Sequence, residues 1–232
     1  MIAVFLQARL DSSRLPRKAL LRLGEKTVVE HTMEALARVK ADVHALLTDY
    51  NSYEELAPFA VACGFDIFPG PEDDVLERFA LAARFFAPET IIRATGDNPL
   101  TSPLLAERIV DIHCKHKSDY SGYLGMPLGT GVEVLDRGAL LTAASEAADP
   151  YEREHVSPFL YRRPERFTIT RPTVEQGLLL PEAEVTLDTW EDYVLISKIF
   201  KDLYDCGPIE VPELVRWLKQ NQHIKQNHHV YL

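Results

Sequence analysis

Four times between Ile2 and Lys115, a short apolar run gives way to a stretch with helical apolar spacing. This alternation constrains the fold more than any other feature of the chain. Ile2–Gln7 reads as a buried strand, as do residues 43–48, 65–68 and 90–94. Between them, residues 27–38 set Val28, Val29, Met33 and Leu36 on one helical face. Asn51-Ser52-Tyr53-Glu54 has the form of a capping box that opens a helix ending at Gly64. Pro69-Gly70-Pro71 ends the third strand, and residues 74–86 are amphipathic. Ser102 before Pro103 is an N-cap followed by proline at the first helical position, opening a helix to about Lys115. The pattern predicts an α/β protein with a mostly parallel sheet and helices on both faces. Ligands in such sheets bind beyond the carboxyl ends of the strands.

The second half is more mixed. Strands are expected at 131–135, 167–171 and 184–187, and helices over 152–162, from Asp188-Thr189 to about Tyr204, and from Pro212 to about Gln220. Asp136 is placed to cap the helix after the first of these strands. No repeat or flexible linker divides the chain, so residues 1–232 are expected to form one domain. A small mixed subregion around 120–185 is expected to serve substrate binding or dimerisation.

Charge narrows the partners. The net charge of −10 argues against a nucleic-acid surface or an anionic membrane as partner. No apolar run approaches a membrane span, and the N-terminus lacks the basic region and cleavage site of a signal peptide. Three well-separated cysteines, Cys63, Cys114 and Cys206, are expected to be free buried thiols in a reducing cytoplasm. The first 25 residues run against the acidic trend, with Arg9, Arg14, Arg17, Lys18 and Arg22 set against Asp11 and Glu25. Such a segment suits a small anion such as a triphosphate, or is a solvated loop.

Three segments carry chemistry. Residues 7–18 follow the first strand and lack both G-x-G-x-x-G and a P-loop. They offer guanidinium forks and an ammonium, which match phosphate oxygens and neutralise them before a nucleophile approaches. Gly96-Asp97-Asn98-Pro99-Leu100 follows the fourth strand. It is either a turn or the site of a metal-binding carboxylate. In Leu187-Asp188-Thr189-Trp190-Glu191-Asp192, Asp188 is either an N-cap or a second such carboxylate. His113-Cys114-Lys115-His116 lacks the spaced partners of a zinc site, and His223, His228 and His229 read as surface residues of a polar tail.

Ala8, Arg9, Ser12, Arg14, Leu15, Pro16 and Lys18 spell A-R-x-x-S-x-R-L-P-x-K, which resembles the nucleotide-binding signature of the sugar cytidylyltransferases. Arg17 stands where that family usually has glycine. The Gly96–Leu100 and Asp188–Asp192 segments resemble the family's G-D-x-P-L and D-T-x-E-D motifs. Asp74-Val75-Leu76-Glu77-Arg78, Gly131-Val132-Glu133-Val134 and Arg153-Glu154-His155-Val156-Ser157-Pro158 are similar to segments of spore-coat polysaccharide cytidylyltransferase-like proteins.

The resemblance implies a Rossmann-like three-layer nucleotidyltransferase fold and transfer of CMP from CTP to a sugar or sugar-acid acceptor, with release of pyrophosphate. It implies Mg²⁺ held by Asp97 and Asp188. Ala8, Arg9, Ser12, Arg14, Lys18 and Arg78 would bind nucleotide, with Arg9, Arg14 and Lys18 also neutralising the reacting phosphates. Asn98, Glu133, Arg153 and His155 would line the acceptor pocket. Against these stand an exposed helix arginine at Arg78 and a hydrogen-bonded structural histidine at His155. Relatives commonly form homodimers, for which the C-terminal helices are available. The rival activities are a nucleotide-sugar glycosyltransferase and CMP transfer to a phosphorylated non-sugar acceptor. The first of these uses a D-x-D motif, which neither Asp97-Asn98-Pro99 nor Glu72-Asp73-Asp74 supplies.

Overall fold

A computed structural model of the chain describes residues 1–221, so the histidines of the polar tail lie outside the described residues. The fold is organised around β1 (Ile2–Gln7), whose alternate side chains enter two different cores. Ala3 and Phe5 join Leu76, Phe79 and Leu140 on one face, while Val4 and Leu6 join Met33, Leu36 and Ile109 on the other. That double burial is why the strand reads as a continuous apolar run.

Parallel strands β4 (Val43–Asp49) and β6 (Thr90–Thr95) flank β1, and β5 (Asp66–Gly70) lies outside β4. Beyond β6 follow β8 (Glu133–Asp136), β7 (Tyr120–Gly122) and β9 (Ile169–Thr170). The sheet order is β5-β4-β1-β6-β8-β7-β9, and β8 alone runs against both its neighbours. Helices α1 (Val28–Leu36), α2 (Tyr53–Ala62) and α4 (Pro103–His116) cover one face. Helices α3 (Val75–Phe86), α5 (Arg137–Glu146) and α7 (Pro158–Tyr161) cover the other.

The remaining helix of this half is α6 (Pro150–His155). A hairpin of β2 (Arg22–Leu23) and β3 (Lys26–Thr27) packs with α8 (Trp190–Leu203) and α9 (Val211–Gln220) around Leu23, Leu187, Ile196 and Trp217. The sequence pattern does not reveal this hairpin, because two-residue strands are too short to show a period. The α/β expectation holds. Within residues 120–185, β7, β8 and β9 extend the same sheet, while Val174, Leu178 and Leu180 pack with Leu105, Val211 and Val215 in a cluster of their own.

The chain leaves β1 toward β4 and β5 and then returns to β1's other side as β6. The carboxyl ends of β1 and β6 therefore form a switch point where the following loops diverge. Register brings Gln7 level with Thr95, and the Gly96 N–H donates to the Gln7 carbonyl at 2.7 Å. A Cβ at Gly96 would lie 2.8 Å from the Ala8 Cβ, so glycine lets the two loops touch.

Several local expectations are corrected. Asn51 does not cap α2: its amide donates to Glu72, while Ser52 binds Asp49 and accepts from the Leu10 N–H. The helix expected over 152–162 is two, because Pro158 supplies no N–H and Val156 turns at φ 70°. Residues 184–187 form only an isolated bridge, Leu128–Glu184, rather than a strand. The strands expected at 131–135 and 167–171 are shorter, Glu133–Asp136 and Ile169–Thr170. The cysteines are free but not buried: Cys63 is half-buried, and Cys114 and Cys206 are exposed.

Candidate active site

A cavity of ≈ 630 Å³ opens at the switch point. Ala8, Arg9, Ser12, Arg14 and Lys18 line it from the loop after β1, Asp97 and Asn98 from the loop after β6, and Asp188 from the entry to α8. The cationic loop is fixed from beneath. Buried Asp49 accepts from the Ser52 N–H and hydroxyl, both at 2.8 Å, and Ser52 Oγ accepts from the Leu10 N–H at 3.0 Å. The Arg17 N–H closes the loop on the Leu10 carbonyl at 3.0 Å, and Arg17 pairs with Glu55 at the surface.

Asp97 and Asp188 stand 91 positions apart in the sequence and meet around one ammonium. Lys18 Nζ donates to Asp97 Oδ2 at 2.6 Å, to Asp188 Oδ1 at 2.8 Å and to the Leu187 carbonyl at 2.9 Å, which uses all three of its donors. A backbone bond from the Leu187 N–H to the Asp97 carbonyl, 3.0 Å, ties the two segments together. Thr189, not Asp188, caps α8, in a reciprocal box with Asp192. Asp188 is thereby left to face the cavity. Partial burial opposes its charge, but the hydrogen bond from Lys18 and the charges of Lys18 and Arg14 outweigh this and hold its carboxyl below the usual range. Arg14 adds a contact to Asp188 Oδ1 at 2.9 Å.

The donor set suits a hard divalent cation. Among the described residues, Asp97 Oδ1 and Asp188 Oδ2 accept no hydrogen bond, and no group of three or more His, Cys, Asp or Glu side chains is arranged to hold a metal. Two carboxylates completed by phosphate oxygens and water are the usual mode for Mg²⁺.

Other expected residues are placed differently. Arg9 lines the cavity, exposed and paired with no acid among the described residues. Arg78 is neither an exposed helix arginine nor wholly free for a ligand. It is 1% exposed, and it donates to the carbonyls of Pro71 and Glu72. Burial lowers its pKa, although Asp49 nearby favours its charge. It still lines the cavity. Arg153 lies outside the cavity walls. It is held by Asp74, with Nε–Oδ2 at 2.7 Å, and by the carbonyls of Ala144 and Ala147, so it clamps α3 to the end of α5. His155 lies at the cavity wall against Tyr151, exposed and, among the described residues, without a side-chain hydrogen bond.

A second cavity of ≈ 500 Å³ shares Arg93, Thr95 and Asn98 with the first. Its outer wall is apolar, with Tyr123, Leu124, Met126, Leu128 and Pro181. Glu133 sits at its floor and accepts from Arg93 at 2.6 Å, Ser157 at 2.7 Å and Tyr120 at 2.8 Å. Burial and the adjacent Glu133 raise the Tyr120 pKa, so the phenol stays protonated as donor. Arg93 also donates to Gln7, at 3.1 Å. Its Nε and the Asn98 Oδ1 are buried without partners, both on the wall shared by the two cavities. The sequence motifs do not include Arg93. A charged residue inside a buried strand is the signal that marks it.

An α/β sheet with a basic loop and two converging carboxylates at its switch point is the architecture of a nucleotidyltransferase. Residues 3–232 match the family described as Cytidylyltransferase. The chain is 32% identical over 222 residues to an uncharacterized protein of Methanocaldococcus jannaschii, covering 95% of this chain and 91% of the relative. It is 29% identical over 227 residues to the spore coat polysaccharide biosynthesis protein SpsF of Bacillus subtilis, covering 95% of each. The solved structure of a cytidylyltransferase from Leptospira borgpetersenii superposes with TM-score 0.90 at 26% identity, over 100% of this chain and 99% of that one. The chain belongs to the cytidylyltransferase family, as a CTP-using nucleotidyltransferase.

Proposed function

We propose that the enzyme transfers CMP from CTP to a sugar or sugar-acid acceptor, releasing pyrophosphate, as a step in surface polysaccharide biosynthesis. The convergence of Asp97 and Asp188 on Lys18, in one cavity with Arg9 and Arg14, carries this reading. The triphosphate lies in the first cavity, where the three cations neutralise it and the leaving pyrophosphate. Backbone groups near Ala8 and Arg9 read the base. Ser12 and Arg78 line the nucleotide's path.

The acceptor fills the second cavity, with its attacking oxygen at the wall formed by Asn98 and Arg93. A hydroxyl there would complete the unpartnered Asn98 Oδ1 as donor and Arg93 Nε as acceptor. Glu133 positions Arg93, and His155 closes the mouth of the cleft. The reaction is an in-line displacement at the α-phosphorus, and its rate comes chiefly from positioning and electrostatics. Asp97 and Asp188 would hold Mg²⁺, which when bound stabilises charge on the transferring group.

The apolar second cavity, together with the relative named for spore coat polysaccharide biosynthesis, favours a sugar over a phosphorylated non-sugar acceptor. Among the described residues no helix is long and apolar enough to cross a membrane. A reducing cytoplasm suits the three free thiols. A homodimer also belongs to this reading. The inward faces of α8 and α9 pack within the chain, which leaves Trp190 and Val194 exposed on α8 for a partner copy.

Pyrophosphate release, measured over a matrix of nucleotides and candidate acceptors, tests the reaction. Turnover with CTP and a sugar-type acceptor is expected, and Asp97→Asn should leave a folded protein with activity reduced by about 10²-fold or more. Near-normal release by that variant would remove the metal assignment. Release of free nucleotide from a sugar nucleotide would identify a glycosyltransferase instead.

A further inference from the structure

The Asp97–Asp188 pair is already occupied by a cation of the chain itself. Lys18 Nζ makes its three hydrogen bonds within 2.6–2.9 Å, and its side chain is only 14% exposed. Arg14 adds a second positive group on the same Asp188 oxygen. A divalent ion between the carboxylates must therefore either displace this ammonium from Asp97 Oδ2 and Asp188 Oδ1 or take the two remaining oxygens against its charge, and in both cases must approach a guanidinium as well. The three bonds satisfy Lys18 fully, so displacement without a new anionic partner strands its charge in a half-buried place. A nucleotide's phosphates are such a partner, since Lys18 and Arg14 line the same cavity as Arg9, Ser12 and Ser13.

We propose that Lys18 keeps the carboxylate pair closed to divalent cations until a nucleotide's phosphates draw its ammonium away. Free metal then loads poorly onto the empty enzyme, and the nucleotide, alone or with its own cation, opens the site. Lys18 in this way has two positions with one charge, on the carboxylates before binding and on the phosphates after it. The inference rests on the metal-binding reading of Asp97 and Asp188 given above.

The test is Mn²⁺ binding to nucleotide-free protein, read by the loss of the free-ion electron paramagnetic resonance signal. Wild type should bind weakly, and Lys18→Met should bind at least tenfold more tightly. The double variant Lys18→Met/Asp188→Asn should lose that gain. Thermal unfolding checks that each variant is folded, and Lys18→Gln replaces Lys18→Met if the latter is not. Equal or weaker binding by the Lys18 variant overturns the inference. If wild type binds tightly and Asp188→Asn abolishes it, the metal site stands and only the closure is wrong. If Mn²⁺ binds alike to wild type, Lys18→Met and the double variant, both the closure and the metal reading fail.

Discussion

Arg17 occupies the left-handed region, φ 58° and ψ 25°, immediately before Lys18. A side chain there crowds its own backbone, and glycine avoids the crowding. Arg17 recovers part of that cost through an exposed pair with Glu55, the kind of contact that contributes little in water. Arg17→Gly is therefore expected to raise the thermal midpoint by about 2–4 °C, while Arg17→Val lowers it. A clear fall with glycine would mean that the Glu55 pair, not the backbone, governs the loop. At this scale the motif residues were singled out by their resemblance to a family signature, since a basic loop, a turn and a helix cap read equally well without it. The places of Arg78 and Arg153 were not legible. Their helices were recognised, but the carbonyls that hold Arg78 and the Asp74 contact that holds Arg153 come from tertiary packing.

At the scale of elements, two buried histidines fasten helices to their neighbours. His31 of α1 bonds the Leu23 carbonyl of the β2–β3 hairpin at 2.8 Å, and His113 of α4 bonds Ser121 of β7 at 3.0 Å. Burial dominates at both and lowers their pKa values, although the Leu23 bond and Glu34 favour the charged form of His31, and Asp136 and Asp119 that of His113. The unfolded chain, with histidines near 6.5, thus binds protons more readily than the folded one. Stability should be complete above about pH 6.5 and should fall as pH drops through the lowered folded values. Unfolding midpoints recorded from pH 8 down to 5 should show this fall for wild type and a flatter profile for His31→Gln. An unchanged profile would show that protonation of His31 is not linked to unfolding. The four leading strand–helix pairs were readable because each carries its own period. The hairpin was too short for one, and residues 184–187 have strand composition but spend their backbone bonds on Leu128 and Asp97 rather than on a ladder.

At the scale of the molecule, the fold brings distant segments together at one end of the sheet. The order β4-β1-β6 sets the loops after β1 and β6 side by side, and the bond from the Leu187 N–H to the Asp97 carbonyl brings Asp188 to them. Family resemblance named both carboxylates from the sequence. The intervening Lys18 ammonium and the Arg93–Glu133 floor of the second cavity emerge only in three dimensions. The closest test of the whole account is a crystal of the enzyme grown with CTP and Mn²⁺, with anomalous scattering used to locate the metal. A peak is expected between Asp97 and Asp188, with a triphosphate beside Arg9 and Arg14 and Lys18 turned onto a phosphate oxygen. Nucleotide bound in the cleft with no metal on either carboxylate, or bound elsewhere on the protein, would contradict it.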